Sequence, residues 1–125
     1  MSEINFKEIG KTLRLRRKQK DLTLESVASQ VGVSFNYISE LERGDKGKIP
    51  SDEVLAKLSI ILGIDEKELF TGFGKLPNSL VMELSTNEMY LDTLYRIQKD
   101  PNLTDKDRNE LYFEIRQLYL KHLRK

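Results

Sequence analysis

The sequence contains no cysteine and a single histidine, His122. Without thiols the chain forms no disulfide and no thiolate metal site, and one imidazole is too few for a histidine metal site or a nucleophilic triad. Only three prolines occur among the 125 residues. Charged residues make up 33% of the chain and hydrophobic residues 38%, a balance typical of folded, charge-rich helical proteins rather than disordered ones. We therefore predict a folded protein that is not an enzyme, with no catalytic residue, no metal site and no cofactor.

Long apolar runs are absent as well. No stretch approaches the roughly 18 apolar residues that a membrane span needs. The opening Met1, Ser2 and Glu3 do not resemble the basic and then apolar start of a signal peptide. These absences predict a cytoplasmic protein that does not bind a membrane.

The net charge of +1 hides a strong local imbalance. Residues 7–20 hold seven lysines and arginines against the single acid Glu8, whereas residues 51–70 hold five acids against two lysines. Such a layout can present one basic face to a polyanion while the whole chain stays near neutral. The bases that share one face of the first predicted helix are Lys7, Lys11, Arg14 and Lys18. Phosphate contact and simple solvation both remain open for this face.

Apolar periodicity and capping residues predict an all-α chain, because no stretch alternates convincingly as a strand would. Five short helices are expected between Asn5 and Phe70. The fourth of them is predicted to bury Val54, Leu58 and Ile61, which recur at helical spacing.

Two glycines and a proline within residues 71–79 predict a boundary between two domains, which we place at 1–72 and 73–125. The second domain is predicted to contain about two helices. One covers residues 79–99, with a break at a polar patch in its middle, and Thr104 caps the last.

The second and third helices have the layout of a helix-turn-helix. The second begins at Thr23 and the third at Ser34, so that a turn of about three residues separates them. Ala28 is small enough to let the two helices approach closely, and Gly32, four residues later, suits the sharp turn. Many helical hairpins share this spacing, so it does not by itself identify a DNA-binding motif.

A longer set of residues resembles a known family. The matching segments are Leu22–Ala28, Val31–Ser34, Tyr37–Gly44, Pro50–Ser51 and Leu62–Ile64. Together they resemble the Xre family of phage-repressor and Cro-like helix-turn-helix regulators, over about residues 6–70. The resemblance implies a five-helix, lambda-repressor-like DNA-binding domain whose third helix lies in the major groove of double-stranded DNA.

The third helix has a polar face that is not needed for the hydrophobic core. With Phe35 at zero, Ser39, Asn36 and Glu40 fall between about 40° and 140° around an ideal helix. Asn36 can bridge adenine N6 and N7, and Glu40 can accept from cytosine N4. Phe35 departs from the family, which often has a polar base-reading residue here; it either touches a thymine methyl or packs against the first helix as core. The residues predicted to read bases are Phe35, Asn36, Ser39 and Glu40, and an ordinary solvated face is the alternative.

Phosphate contacts are predicted next to this face. Arg43 ends the third helix beside a loop that carries Lys46 and Lys48, where cations suit the DNA backbone better than the bases. The other predicted phosphate contacts are Thr23, Ser34 and Tyr37.

A structural ion pair is also expected. Arg17 lies within the apolar stripe of the first helix, where an unpaired guanidinium would be costly. The resemblance implies that Arg17 pairs with Glu42, at the inner edge of the third helix. A partly buried pair would fix how the third helix sits, whereas a surface pair would contribute little.

The last helix carries an apolar arc wider than half its circumference. A helix packed on one neighbour needs an arc of only about 100°, so this helix is expected to be buried against more than one surface. A second copy of the chain is the natural supplier, and packing on the first domain or on an inhibitor or other partner protein are the alternatives. The residues assigned to the dimer interface are Leu111, Ile115, Leu118, Tyr119 and His122.

The sequence thus predicts a sequence-specific DNA-binding transcriptional regulator. Its most favoured form is a homodimeric bacterial repressor of phage or mobile-element type that binds an inverted-repeat operator. An autoregulatory antitoxin that grips a toxin with its C-terminal helices is one alternative. A protein-interaction adaptor that no longer binds DNA is the other.

Overall fold

The computed structural model describes residues 3–124, and all regular structure in this range is α-helical. The helices are α1 (Phe6–Gln19), α2 (Leu24–Val31), α3 (Phe35–Arg43), α4 (Asp52–Leu62), α5 (Glu66–Gly72), α6 (Asn78–Thr86), α7 (Glu88–Lys99) and α8 (Asp105–Leu123). The predicted all-α class is confirmed. The chain divides into two compact units, one ending at Val81 and one beginning at Met82.

Side-chain caps explain where the first five helices begin. In each case the residue before the helix has a side-chain oxygen that accepts a hydrogen bond from the backbone N–H three residues later, which satisfies one of the unpaired donors of the first turn. The capping residues are Asn5, Thr23, Ser34, Ser51 and Asp65.

The first unit is built around one apolar core to which all of α1 to α5 contribute. Its fully buried apolar side chains are Leu13, Val27, Ala28, Val31, Ile38, Leu41, Leu55, Leu58, Leu62, Ile64, Leu69, Phe70 and Phe73. Burying a side chain of this size contributes about 1.5 to 3 kcal/mol relative to leaving it exposed. In α4 the prediction was partly wrong, since Leu55, Leu58 and Leu62 are buried while Val54 and Ile61 are only half-buried.

Close contact between α1 and α3 sets the position of α3. Gly10 is buried at the crossing, where a Cβ atom would lie 2.6 Å from the carbonyl oxygen of Leu41 and still closer to that of Glu42. Only glycine allows the two helix backbones to approach in this way. The core and this crossing therefore hold α3 as a rigid element of the first unit.

The first unit continues past the boundary that the sequence predicted at residue 72. Phe73 is 1% exposed and belongs to the core. Lys75 Nζ lies 2.6 Å from Asp52 Oδ1 and donates to the carbonyl oxygen of Pro50, while the Asn78 amide donates to Asp52 Oδ2. The glycine- and proline-containing segment is thus packed on the first unit rather than free, because these contacts fasten it to the start of α4.

The second unit is a helical hairpin with little interior. The long helix predicted over residues 79–99 is broken at Asn87, whose side chain caps α7. Arg108 closes the turn between α7 and α8 by donating to the carbonyl oxygens of Ile97 and Asp100, and Thr104 caps α8 as predicted. Among residues 82–124 no residue is buried. No helix of the described chain is long and apolar enough to cross a membrane.

Candidate nucleic-acid interface

The turn between α2 and α3 has the geometry that the sequence predicted. Gly32 ends α2 with a left-handed φ of 87°, and its amide donates to the carbonyl oxygen of Ala28 at 2.8 Å. The Val33 amide donates to the same oxygen at 3.0 Å, so one carbonyl closes the whole turn. Ala28 is 4% exposed, and its small side chain is part of the core beside this turn.

The outer face of α3 carries most of the predicted base-reading residues. Asn36 is exposed, and Phe35 is 45% exposed. The alternative that Phe35 packs in the core is therefore not what the structure has. Ser39 is half-buried, and its hydroxyl accepts a hydrogen bond from Arg43 Nη1 at 2.8 Å.

Glu40 and Lys48, which the sequence assigned to base reading and to phosphate binding, form an ion pair with each other. Lys48 Nζ lies 2.5 Å from Glu40 Oε2, and only 20% of the Glu40 side chain is exposed. The hydrogen bond from Lys48 holds the pKa of the Glu40 carboxyl below its usual range. A Glu40 that read cytosine, or a Lys48 that bound phosphate, would first have to break this pair.

Tyr37 lies beneath the same lysine. Its ring centroid is 5.4 Å from Lys48 Nζ, a cation–π distance. Burial raises the pKa of the Tyr37 hydroxyl above its usual range. As a phenol it can act as a hydrogen-bond donor.

The remaining predicted phosphate contacts are two capping hydroxyls and two cations. Thr23 Oγ1 accepts from the Ser26 amide at 3.0 Å, and Ser34 Oγ accepts from the Tyr37 amide at 3.1 Å. A capping hydroxyl still has a hydrogen to donate to a phosphate oxygen. The cations are Arg43, whose Nε lies 3.4 Å from Asp45 Oδ2, and the exposed Lys46.

Arg17 and Glu42 form the ion pair that the resemblance implies. Arg17 Nε and Nη2 donate to the two carboxylate oxygens of Glu42 at 2.7 and 3.0 Å, and Nη1 donates to the carbonyl oxygen of Leu22. The side chains are only 11% and 8% exposed. The hydrogen bonds to Glu42 raise the pKa of Arg17 further. This pair joins α1, the turn before α2 and α3, and so fixes the orientation of α3.

The basic face of α1 is exposed along its whole length. The residues that form it are Lys7, Lys11, Arg14 and Lys18. They span about three turns of helix, which gives the first unit a continuous positive strip.

In the second unit the residues predicted to form a dimer interface are largely exposed. Ile115, Leu118 and Tyr119 are 44%, 56% and 61% exposed, and Leu111 is half-buried. His122 is exposed, with its Nδ1 2.8 Å from the carbonyl oxygen of Leu118. Within residues 3–124 no group of three or more histidine, cysteine, aspartate or glutamate side chains is placed to hold a metal ion.

Sequence reasoning missed the contact between Lys48 and Glu40. The two residues are eight positions apart across an irregular loop, and no periodic pattern brings them together. The sequence holds one signal for this contact, namely Gly44. This glycine ends α3 with a left-handed φ of 66° and so turns the chain back along the helix.

Comparison with known proteins agrees with this geometry. The family model HTH_3, described as helix-turn-helix, matches residues 13–69. The HTH-type transcriptional regulator SlrR of Bacillus subtilis is 40% identical over 62 residues, which are 50% of this chain and 40% of SlrR. The control protein C.MunI of a Mycoplasma species is 35% identical over 75 residues, which are 60% of this chain and 99% of that protein.

A solved structure is similar as well. The clp gene regulator ClgR from Corynebacterium glutamicum aligns with a TM-score of 0.46 and 29% identity, over 74% of this chain and 92% of that one. This chain spans less than half the length of SlrR but nearly all of the control protein. The matched residues contain the whole of α2 and α3, so the chain belongs to the Xre family of helix-turn-helix transcriptional regulators.

Proposed function

We propose that the chain is a homodimeric, sequence-specific DNA-binding repressor that places α3 in the major groove of an inverted-repeat operator. The observation that carries this is the outer face of α3, where Phe35 and Asn36 are exposed while the Arg17–Glu42 pair and the core hold the helix in place. The names of two relatives, an HTH-type transcriptional regulator and a control protein, support a role in transcription. Because bacterial DNA lies in the cytoplasm, the proposal places the protein there.

Base reading falls to three residues of this face. Asn36 offers an amide that can donate to adenine N7 and accept from adenine N6. Ser39 adds a hydroxyl, and the exposed ring of Phe35 suits a thymine methyl. Glu40 drops out of this set because Lys48 already holds its carboxylate.

Phosphate contacts surround the reading face. Arg43 and Lys46 follow it at the end of α3 and in the next loop, and both are exposed. The capping hydroxyls of Thr23 and Ser34, with the Tyr37 hydroxyl, are the neutral donors. Contacts of this kind fix the register of a protein on DNA without reading its sequence.

The second unit supports the dimer, because helices gain most of their stability from tertiary packing and this helical hairpin has no buried side chain within residues 82–124. A second copy fits the exposed face of α8. Along that face Leu111, Ile115, Leu118 and His122 recur at intervals of four, three and four residues. This spacing reads the same in both directions, so two antiparallel copies place Ile115 of one opposite Leu118 of the other.

Charge favours the same arrangement. Residues 105–114 hold four acids and two bases, whereas residues 115–124 hold three bases and no acid. An antiparallel pair therefore brings the acidic half of α8 beside the basic half of the second copy, while a parallel pair would place like charges together.

Selection of bound sequences from random duplex DNA by the full-length protein tests the reading role. We expect enrichment of an inverted repeat with half-sites about one helical turn, or ~34 Å, apart. Recovery of random sequences would contradict sequence-specific binding and would favour the adaptor role instead.

Sedimentation of Leu118→Glu against Gln117→Glu tests the dimer. Gln117 lies on the opposite side of α8, so its substitution is the matched control on the same helix. We expect the wild type and Gln117→Glu to sediment as dimers at tens of micromolar and Leu118→Glu as a monomer, because burying an unpaired charge is costly. A monomeric wild type would refute the homodimer and assign the face of α8 to a different protein, such as a toxin or an inhibitor.

A further inference from the structure

A carboxylate lies at each edge of the reading face of α3. With Phe35 at zero, the proposed base readers occupy about 0° to 100°, while Glu40 lies near 140° and Glu42 near 340°. Carboxylates in these positions would repel the phosphates that flank a major groove. In this chain each of them is bound by an internal cation, Glu42 by Arg17 and Glu40 by Lys48.

Lys48 is held in place by two contacts within the protein. The loop after α3 returns along the helix and places Lys48 Nζ against both Glu40 Oε2 and the face of the Tyr37 ring. Glu40 Oε2 is almost completely removed from solvent, and the ammonium of Lys48 is the cation that lies beside it. Lys46, two residues earlier in the same loop, is exposed as Lys48 is, but within residues 3–124 no salt bridge joins it to a carboxylate, so it is the better candidate for a phosphate.

We propose that Lys48 supports DNA binding by neutralising Glu40, in the free protein and in the complex, and is a positioning residue rather than a phosphate ligand. The inference rests on the proposed DNA-binding function. It assigns opposite roles to two lysines of one loop: Lys46 binds phosphate, and Lys48 masks an acid.

Counterion release distinguishes these roles. A lysine that neutralises a phosphate steepens the dependence of log K on log salt by about 0.9, because it displaces a condensed counterion. A lysine that stays on a carboxylate forms a neutral pair and displaces none. Removing both members of that pair therefore leaves the net charge of the interface, and with it the salt slope, unchanged.

The test is the affinity of the full-length protein for a mixed-sequence duplex of about 20 base pairs, measured by fluorescence anisotropy over a range of salt. The variants are Lys46→Met, Lys48→Met, Glu40→Gln and the double variant Glu40→Gln/Lys48→Met. Circular dichroism of each checks that it is folded. The mixed-sequence duplex removes base reading from the comparison, so only charge is measured.

We expect Lys46→Met to flatten the salt slope by about 0.9. Lys48→Met should weaken binding about fivefold at low salt, the factor that matches about 1 kcal/mol between unit charges about 4 Å apart in water. The double variant should regain wild-type affinity within about twofold and the wild-type slope. Glu40→Gln alone should bind more tightly than the wild type, since it releases Lys48.

Two results would overturn the inference in distinguishable ways. If the wild type binds with a steep salt dependence but the double variant stays as weak as Lys48→Met, with a slope flatter by about 0.9, Lys48 is a phosphate ligand. If the wild type itself shows no salt-dependent binding to duplex DNA, the proposed function fails and the inference fails with it.

Discussion

Substitution of Arg17 should show most clearly what holds α3 in position, because Arg17 lies on α1 and is not one of the proposed base-reading residues. Arg17→Met keeps most of the apolar stem of the side chain but removes the guanidinium. Two hydrogen bonds to Glu42 and one to the carbonyl oxygen of Leu22 disappear with it. The Glu42 carboxylate, only 8% exposed, is then left without its partner.

The expected cost follows from that burial. Removing one partner of a buried ion pair costs about 3 to 5 kcal/mol, because the other charge remains desolvated. A domain of this size is stable by about 5 to 15 kcal/mol, so the loss is a large fraction of the total. Glu42→Leu in the same chain should recover part of it, since an apolar side chain in place of the stranded carboxylate removes the desolvation cost.

Native-state hydrogen exchange measures the free energy of unfolding of the first unit separately from the second. The slowest amides of α1 to α5 report its global opening, whatever the second unit does. Arg14→Met, an exposed arginine on the same helix, is the matched control and should change the opening free energy by less than about 0.5 kcal/mol. A double-mutant cycle that shows no coupling between Arg17 and Glu42 would refute the reasoning.

Two further outcomes are expected. Gly10→Ala should lower the free energy of unfolding, measured by urea denaturation, by about 1 to 3 kcal/mol, because the added Cβ meets the backbone of α3. An unchanged urea midpoint would show that α1 and α3 can move apart without cost. The hydrogen bond from Lys75 lowers the pKa of Asp52, so its contribution to stability is present above its unfolded pKa of about 3.9 and is lost as the pH falls through the folded value. When the pH is lowered below about 4, Asp52→Asn should therefore lose less of its free energy of unfolding than the wild type does. If the free energies of unfolding of the two proteins fall in parallel with pH, this role of Asp52 is contradicted.

Local interactions were predictable because their partners are close in sequence. A cap needs only a polar residue and an amide three positions later, and this was enough to place the starts of α2, α3 and α8 at Thr23, Ser34 and Thr104. The all-α class follows from the same kind of pattern. The Arg17–Glu42 pair required more, since only the family resemblance connected two residues 25 positions apart.

Tertiary packing accounts for what the sequence could not provide. Helix α4 has apolar residues over a wide arc, and periodicity alone does not show whether its centre lies on the side of Val54 or of Leu55; contacts with α2 and α5 decide for Leu55. The segment after α5 has the composition of a linker, yet the ion pair between Lys75 and Asp52 holds it against the start of α4. Such contacts depend on where distant elements meet, and no local pattern records them.

Asn36 offers the most direct measurement of the central claim, that the exposed face of α3 reads DNA sequence. The ratio of affinities for the selected duplex and a mixed-sequence duplex is measured for the wild type and for Asn36→Ala. We expect Asn36→Ala to lower that ratio by a factor that corresponds to about 1 to 3 kcal/mol for each half-site, with the preference lost at one base position in each half-site and the mixed-sequence affinity unchanged. Equal weakening on both duplexes, with every base preference intact, would contradict the claim.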